Sequence, residues 1–202
     1  MAPRTTSNPL APLRQTTLNP TLFKKKGASS TSASTSSAKK PRRAATVDAS
    51  DRVQSDVLMA IQPAHLQNIA SRKKNHEYRK YRLQDGVERL WFYETKGTRH
   101  EPGQAAITHI AIIPSNERRT PGTVPEEPHG IGNADFNAGL KKSKYGYPVL
   151  QLYRLVKPVK LEEMKSSWGL SAPMGWSYVR KNLWEDRWGE EKGREERVKR
   201  VF

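Results

Sequence analysis

The sequence contains no cysteine among its 202 residues. A disulfide framework, a zinc site built on thiolates and a cysteine nucleophile are therefore excluded. Apolar residues make up only 35% of the chain, which suits one folded domain with a polar tail. No run of 18 apolar residues occurs, so we predict no membrane-spanning segment. Because the N-terminus also has no apolar core of signal-peptide length, we expect a soluble, intracellular protein.

Histidine is scarce, and its five copies are widely spaced. No two of them lie at the spacing of metal ligands, so we predict no metal site. Neither a nucleophile elbow nor a phosphate-binding loop motif occurs. We therefore expect no cofactor.

The chain carries few acids for its number of basic residues. Lys and Arg total 36 against 20 Asp and Glu, for a net charge of +16. A surplus of this size attracts polyanions, because each neutralised phosphate releases condensed counterions. Nucleic acid, either RNA or DNA, is therefore the predicted partner. An acidic membrane is a weaker candidate, because no basic amphipathic helix accompanies the charge.

Composition divides the chain into three parts. Residues 28–37 include eight Ser or Thr in ten positions, and such a segment lacks apolar side chains to offset its ordering entropy. We predict a disordered basic tail over residues 1–50 and a folded domain over residues 51–184. Residues 185–202 mix acids and bases at helical spacings, so we predict a charged C-terminal helix or tail there.

Two basic clusters flank the Ser/Thr segment of the tail. The first is Lys24 to Lys26, and the second consists of Lys39, Lys40, Arg42 and Arg43. The second cluster resembles a nuclear localisation signal, so we predict an import receptor as a partner and the nucleus as the location. A general basic arm that strengthens nucleic-acid binding is the alternative interpretation.

The tail also contains an apolar peptide before its first basic cluster. Its candidate partner-binding residues are Gln15, Leu18, Leu22 and Phe23. Gln15 and Leu18 have the spacing of peptides that dock on the replication sliding clamp, but Phe23 comes one residue late and Pro20 removes a backbone donor. Clamp binding, another partner and a chance apolar patch all stay open.

From Asp51 onward, apolar patterning predicts alternating strands and helices. The predicted strands cover residues 57–61, 75–81, 89–94, 105–113 and 147–156. Predicted helices begin at Pro63, which suits a first turn, at Ala134 and at Leu161. We expect the first helix to end in the basic residues 72–74. Several strands with few helices indicate an α+β fold, a curled sheet or barrel with a few flanking helices.

A short motif follows the first predicted helix. Residues 72–79 read Arg-Lys-Lys-Asn-His-Glu-Tyr-Arg, and they resemble the Gly-x-Lys-x-x-Glu-x-Arg motif of ASCH domains in the PUA-like superfamily. Lys74, Glu77 and Arg79 match, whereas Arg72 stands in place of the glycine. The resemblance covers roughly residues 57–182. It implies a PUA-like curled sheet or barrel whose cleft holds nucleotides, in some members a base turned out of its stack.

The motif also has a physical interpretation of its own. Glu77 and Arg79 lie two residues apart on a strand and so face the same side. They can form a structural ion pair. Alternatively, they can bind one ligand, with the Glu77 carboxylate as acceptor and the planar Arg79 guanidinium as donor. Lys74, at the turn before the strand, can reach the same cleft. The sequence leaves both roles open.

Other residues are candidates for nucleic-acid contacts. Tyr93 can stack on a base, although aromatic residues on strands are often core. Thr95, at a strand end, can donate a hydrogen bond to a base edge or a phosphate. A long polar loop offers Arg118 and Arg119. The remaining candidates alternate with tyrosines, a pattern typical of a nucleic-acid face, and are Lys141, Lys142 and Lys144.

These patterns favour a monomeric nuclear protein that binds RNA or a modified base without catalysis. Two alternatives stay open. Some relatives of this superfamily are amidohydrolases of acetylated cytidine that use a Lys, a Thr and a Glu; here Lys74 matches, but Glu77 stands at the Thr position. A neighbouring carboxylate opposes the neutral lysine that such chemistry needs. The second alternative is an adaptor that docks on the sliding clamp.

Overall fold

A mixed six-stranded sheet forms the centre of the part of the chain that the computed structural model describes, residues 51–202. In chain order its elements are β1 (Arg52–Ile61), α1 (Pro63–Ala70), β2 (His76–Arg79), β3 (Arg89–Glu94), β4 (Ala106–Ile112), α2 (Asn133–Asn137), β5 (Tyr145–Pro148), β6 (Gln151–Lys160), α3 (Leu161–Trp168), β7 (Trp176–Arg180), α4 (Lys181–Arg187), a 3₁₀ turn (Arg194–Glu196) and β8 (Val198–Arg200). The strand order is β7-β1-β3-β4-β6-β8, and β2 and β5 form a separate pair. Within the main sheet only β1 and β3 run parallel. The predicted α+β class is confirmed.

The main sheet has an apolar core on each face, because successive side chains of a strand point to opposite sides. On β1, Val57 and Met59 pack in one core together with Leu66 and Ile69 of α1. Leu58, between them, belongs to the other core, which includes side chains of α3 and α4. Helices therefore cover both faces of the sheet.

Helix α1 ends earlier than the sequence predicts. Pro63 occupies its first turn as expected, but the last helical residue is Ala70, and Ser71 caps it. Arg72 then takes a positive φ of 59°, which an α-helix cannot accommodate. The basic residues 72–74 thus form the turn into β2 rather than the last turn of the helix.

The predicted strand over residues 147–156 is two strands in two different sheets. Tyr147 in β5 pairs with Glu77 in β2, whereas Leu152 in β6 pairs with Ala111 in β4. Between them, the amide of Val149 bonds to the carbonyl of Asn75 and the amide of Leu150 to the carbonyl of Ile112. The chain changes partners at this point, which a continuous apolar run does not reveal.

The predicted solvated helix or tail over residues 185–202 is wrong. Helix α4 ends at Arg187, and the chain returns to the sheet as β8, in which Val198 pairs with Leu155 of β6. Trp188 and Val198 are buried in the core. Burial of these two apolar side chains against the sheet stabilises the segment more than the helical spacing of its charges could.

Residues 51–202 include no helix long and apolar enough to cross a bilayer. The predicted tail, its import-like cluster (Lys39, Lys40, Arg42 and Arg43) and its partner-binding peptide (Gln15, Leu18, Leu22 and Phe23) lie outside the described residues.

Candidate functional site

The three matching motif residues form one ion-pair chain at the turn from α1 into β2, with Lys74 and Glu77 buried and Arg79 partly buried. Lys74 and Glu77 are 6% and 3% exposed, and the Lys74 ammonium donates to Glu77 Oε2. The other carboxylate oxygen, Oε1, lies 2.9 Å from Arg79 Nη2. The Glu77 carboxylate is therefore shared by two cations, and the group keeps a net charge of +1.

The position of Arg72 explains why the motif carries glycine there. Its φ of 59° lies in the left-handed region, where glycine has no steric penalty and other residues do. This turn lets the amide of Lys74 bond to the carbonyl of Asn68. The arginine side chain lies over the ring of Phe202, with 4.6 Å from its guanidinium carbon to the ring centroid.

Arg79 is anchored at the wall of the site. Its Nη2 also donates to the carbonyl of Ala60 at 2.6 Å, which ties β2 to the end of β1. Arg79 Nε is buried and has no hydrogen-bond partner among residues 51–202. An unpartnered buried donor is costly to stability.

Tyr78 places a fixed aromatic ring beside the ion-pair chain. Its hydroxyl donates to Asn133 Oδ1 at 2.7 Å, and its ring packs against Phe136 of α2 with 4.5 Å between centroids. The ammonium nitrogens of Lys74 and Lys141 lie 5.9 Å and 5.7 Å from the ring centroid. Burial raises the pKa of the Tyr78 phenol, and Glu77 raises it further, so the hydroxyl remains a donor at neutral pH.

Two adjoining concavities open around these side chains, with volumes of about 370 and 240 Å³. They share His65, Glu77 and Tyr78, and we call them together the Lys74 cleft. Other residues that line the cleft are Gln62, Lys74, Arg79, Thr95, Ile131, Lys141, Lys142 and Ser143. The structure thus brings together six of the predicted site residues, namely Lys74, Glu77, Arg79, Thr95, Lys141 and Lys142.

His65 reports the electrostatic character of the cleft. Desolvation lowers the pKa of this imidazole, and the positive charge of Lys74 lowers it further, followed by smaller effects of Lys141 and Arg79. Glu77 acts in the opposite direction but does not reverse the shift. His65 is therefore neutral at pH 7, in a cleft whose remaining charge is positive.

Two predicted nucleic-acid contacts are contradicted by the structure. Tyr93 is 5% exposed and packs in the core with Leu58 and Val159, so its ring has no free face for a base. Arg118 directs its guanidinium inward, where it donates to the carbonyls of Pro114, Gln84 and neighbouring residues. Arg118 therefore stabilises the long polar loop after β4 through these hydrogen bonds and is not available to contact a phosphate.

Arg119 and Lys144 lie outside the cleft. Arg119 forms an ion pair with Glu117 and donates to the carbonyl of Thr123 at 3.1 Å. Lys144 is exposed, and its backbone amide bonds to the carbonyl of Arg79. Lys144 therefore lies beside the strand that carries Arg79, but it does not line the cleft.

Sequence reasoning missed several lining residues, among them Gln62, His65, Ile131 and Ser143. The first two lie at the start of α1, and the last two belong to a loop and a turn far along the chain. No local signal marked any of them, since a single polar residue at a helix start is ordinary. Among residues 51–202, no group of three His, Asp or Glu side chains is arranged to hold a metal ion.

Comparisons with known proteins give similarity to solved structures only. The crystal structure of ASCH from Zymomonas mobilis is 15% identical, with a TM-score of 0.45, and covers 64% of this chain and 91% of its own. A serine-to-alanine mutant of the same protein has 15% identity and a TM-score of 0.46, and covers 67% of this chain and 95% of its own. No family model and no curated protein matches the sequence. The chain is thus similar to ASCH domains, the family that its motif at Lys74, Glu77 and Arg79 resembles.

Proposed function

We propose that this protein binds single-stranded RNA, with one base held in the Lys74 cleft and the adjoining phosphates on Lys141, Lys142 and Lys144. The observation that carries the proposal is the Lys74–Glu77–Arg79 ion-pair chain, which keeps a positive charge and spare donors at the wall of a concavity. Charged groups rarely stay buried without a partner or a function.

The donors of the cleft suit the carbonyl oxygens and ring nitrogens of a base. Both oxygens of Glu77 are already occupied, whereas Lys74 has three N–H donors with one used. Thr95 adds a hydroxyl at the end of β3. An unstacked base has free edges that match such donors.

The lysines of the turn before β5 extend the site toward phosphates. Lys141 and Lys142 line the cleft, and Lys144 is exposed just beyond it. Residues 51–202 contain 27 Lys and Arg against 19 Asp and Glu, so the folded part is itself basic. Counterion release from the bound strand then favours binding.

The same geometry favours binding over amide hydrolysis. A lysine nucleophile or base must present a free lone pair. The Lys74 nitrogen instead donates to Glu77 in a buried ion pair. The pair is therefore suited to hold a ligand rather than to attack one.

Fluorescence anisotropy with the full chain tests the phosphate contacts. Affinity for labelled single-stranded RNA is measured at several salt concentrations for the wild type, Lys141→Ala and the control Lys165→Ala. Lys165 is exposed on α3 and does not line the cleft. We expect Lys141→Ala to weaken every sequence and to reduce the salt slope by about 0.7, whereas Lys165→Ala leaves both unchanged. Equal behaviour of the two variants would contradict the phosphate role.

Arg79→Ala tests the base contact in the same assay. We expect a loss of about 1–3 kcal/mol for the preferred sequence, little loss for others and an unchanged salt slope, because a base contact releases no counterions. Thermal melting first establishes that the variant is folded. If the folded variant binds every RNA and the matching DNA with the affinity of the wild type, the base-pocket proposal is wrong.

Nuclear import through the tail forms the second part of the proposal. It is supported by the short basic cluster Lys39, Lys40, Arg42 and Arg43, whose positive charges suit an acidic receptor groove. Changing all four to Ala should move a fluorescent fusion of the full chain out of the nucleus. A matched variant with Lys24 to Lys26 changed to Ala separates this cluster from general basic charge. Nuclear retention of the first variant would contradict import through this cluster.

A further inference from the structure

A second concavity lies at a different face of α1 from the Lys74 cleft. Its volume is about 520 Å³, within the range of small-molecule sites. Pro63, Leu66 and Ala70 of α1 form one wall, and side chains of β3, β4, β6 and β8 form the other. We call it the His109 pocket, after its lining residue in β4.

A row of basic side chains crosses the floor of this pocket. His109 is the cross-strand partner of Arg154, and Arg154 is the partner of Lys199 on the next strand. All three line the pocket, together with Arg200. Burial, followed by the charge of Arg154, lowers the pKa of His109 to about 4, so the imidazole is neutral at pH 7 and the cations of the row are Arg154 and Lys199.

No acid of residues 51–202 neutralises this row. No carboxylate of residues 51–202 forms an ion pair with Arg154, Lys199 or Arg200. Like charges placed directly opposite each other on neighbouring strands destabilise a sheet. An anion bound on Arg154 and Lys199 would remove that repulsion.

A carboxylate lies at the opposite end of the same pocket. Glu94, at the end of β3, is 9% exposed and accepts hydrogen bonds from the side chains of Thr108 and Gln104, but it lacks an ion-pair partner within the described part of the chain. Its cross-strand partner Ala106 lies three residues from His109 on β4, which corresponds to roughly 10 Å along a strand. The pocket thus keeps its cations and its carboxylate apart, and apolar side chains of α1 form its wall.

We propose that the His109 pocket binds a nucleotide whose base carries an amino group, such as cytidine monophosphate. The phosphate lies on Arg154 and Lys199, since a guanidinium recognises phosphate with paired hydrogen bonds. The base packs against the apolar wall of α1. Its exocyclic amine donates to Glu94, the pairing by which carboxylates recognise cytosine. The site does not depend on the Lys74 cleft.

Isothermal titration calorimetry of the full chain tests the ligand class. The probes are cytidine monophosphate, uridine monophosphate and inorganic phosphate. We expect cytidine monophosphate to bind at least tenfold more tightly than either of the others, because only it joins an anion to an exocyclic amine. Equal affinity for all three probes, or no binding of cytidine monophosphate at millimolar concentration, overturns the proposal.

Variants at the two ends of the pocket test its location. Arg154 is exposed, so Arg154→Gln should fold, as a thermal melt will verify, and should bind cytidine monophosphate at least tenfold more weakly. Lys165→Gln, with the same change in charge on α3, should bind as the wild type does. Glu94→Gln should reduce the preference for cytidine over uridine monophosphate. If Glu94→Gln does not fold, Lys199→Gln gives a second test of the phosphate end. Wild-type affinity in folded Arg154→Gln overturns the site.

A final comparison separates this pocket from the proposed RNA site and identifies the source of the nucleotide. Lys141→Ala should leave the affinity for cytidine monophosphate unchanged, whether or not the Lys74 cleft binds RNA. A tenfold loss would place the ligand in that cleft and overturn the proposal. If Arg154→Gln weakens a cytidine-rich oligonucleotide as much as the monophosphate, the pocket holds a nucleotide of a strand. If it weakens the monophosphate alone, the pocket holds a free nucleotide.

Discussion

Arg72 occupies a backbone conformation that few residues with a side chain adopt. Its φ of 59° places Cβ close to the following carbonyl, which costs roughly 1–2 kcal/mol outside glycine. We therefore expect Arg72→Gly to be more stable than Arg72→Ala by about 1 kcal/mol. Both variants lose the contact of the arginine with Phe202, so their difference isolates the backbone. Urea denaturation measures both, and an alanine variant as stable as the glycine variant would contradict the strain.

Glu77 is the carboxylate shared by a buried lysine and a partly buried arginine. Glu77→Gln keeps the shape of the side chain but leaves Lys74 and Arg79 without their shared carboxylate. Breaking a buried pair by removing one partner costs about 3–5 kcal/mol, and we expect a loss of this order in the free energy of unfolding.

A matched variant removes an exposed carboxylate instead. Glu88 lies 3.3 Å from Arg89 with half of its side chain exposed, so Glu88→Gln should cost less than about 1 kcal/mol. Both variants are compared by urea denaturation at pH 7. Equal losses would mean that the Lys74 cleft is more hydrated than its burial indicates.

At the scale of elements, one buried carboxylate joins the two parallel strands of the sheet. Asp56 of β1 accepts hydrogen bonds from Arg89 Nε at 2.7 Å and from Trp91 Nε1 at 2.8 Å, both on β3. A second guanidinium nitrogen of Arg89 donates to the other oxygen at 2.8 Å. These hydrogen bonds fix the register of β1 against β3. Helix α1 and the turn that carries Lys74 follow β1 in the chain.

Asp56→Asn should therefore destabilise the whole domain. The amide keeps the volume but loses the charge and turns one acceptor into a donor that faces Arg89, so we expect a loss of about 3–5 kcal/mol. Asp51→Asn serves as the control, because Asp51 is partly exposed and its oxygen lies 3.6 Å from Arg180. Thermal melting followed by circular dichroism measures both. A change in Asp56→Asn no larger than that of the control would contradict the structural role.

Local sequence predicted some elements well and others poorly, for physical reasons. The strand over residues 89–94 matches β3 residue for residue, because its apolar run is short and bounded by turns. The run over 147–156 was predicted as one strand, yet β5 and β6 pair with different partners. A strand is defined by its hydrogen-bonded neighbour, and that neighbour lies elsewhere in the chain.

At the scale of the whole molecule, the buried His76 and the partly buried His109 make the free energy of unfolding depend on pH. Burial, followed by nearby arginines, lowers the pKa of His76 and of His109 from 6.5 to about 4. Between about pH 4 and pH 6.5 the unfolded chain binds more protons than the folded chain, so the free energy of unfolding falls as the pH falls. The contribution is complete above pH 6.5 and is lost progressively toward pH 4, at a cost on the order of 1–3 kcal/mol for each histidine.

The contribution of one histidine can be separated from general acid denaturation. His109→Gln should show a shallower decrease in urea midpoint than the wild type between pH 7 and pH 4.5. His100→Gln, at an exposed position, should follow the wild type. Parallel curves for the wild type and His109→Gln would contradict the lowered pKa of His109.

The sequence alone determined the properties that depend on composition and on local pattern. These include the absence of thiols, the positive charge, the α+β class and the motif residues Lys74, Glu77 and Arg79. Only the tertiary structure decided which side chains are available. It buries Tyr93 in the core and directs Arg118 to backbone carbonyls. It also aligns His109, Arg154 and Lys199 from three strands, because cross-strand neighbours are set by long-range pairing that no local window of sequence contains.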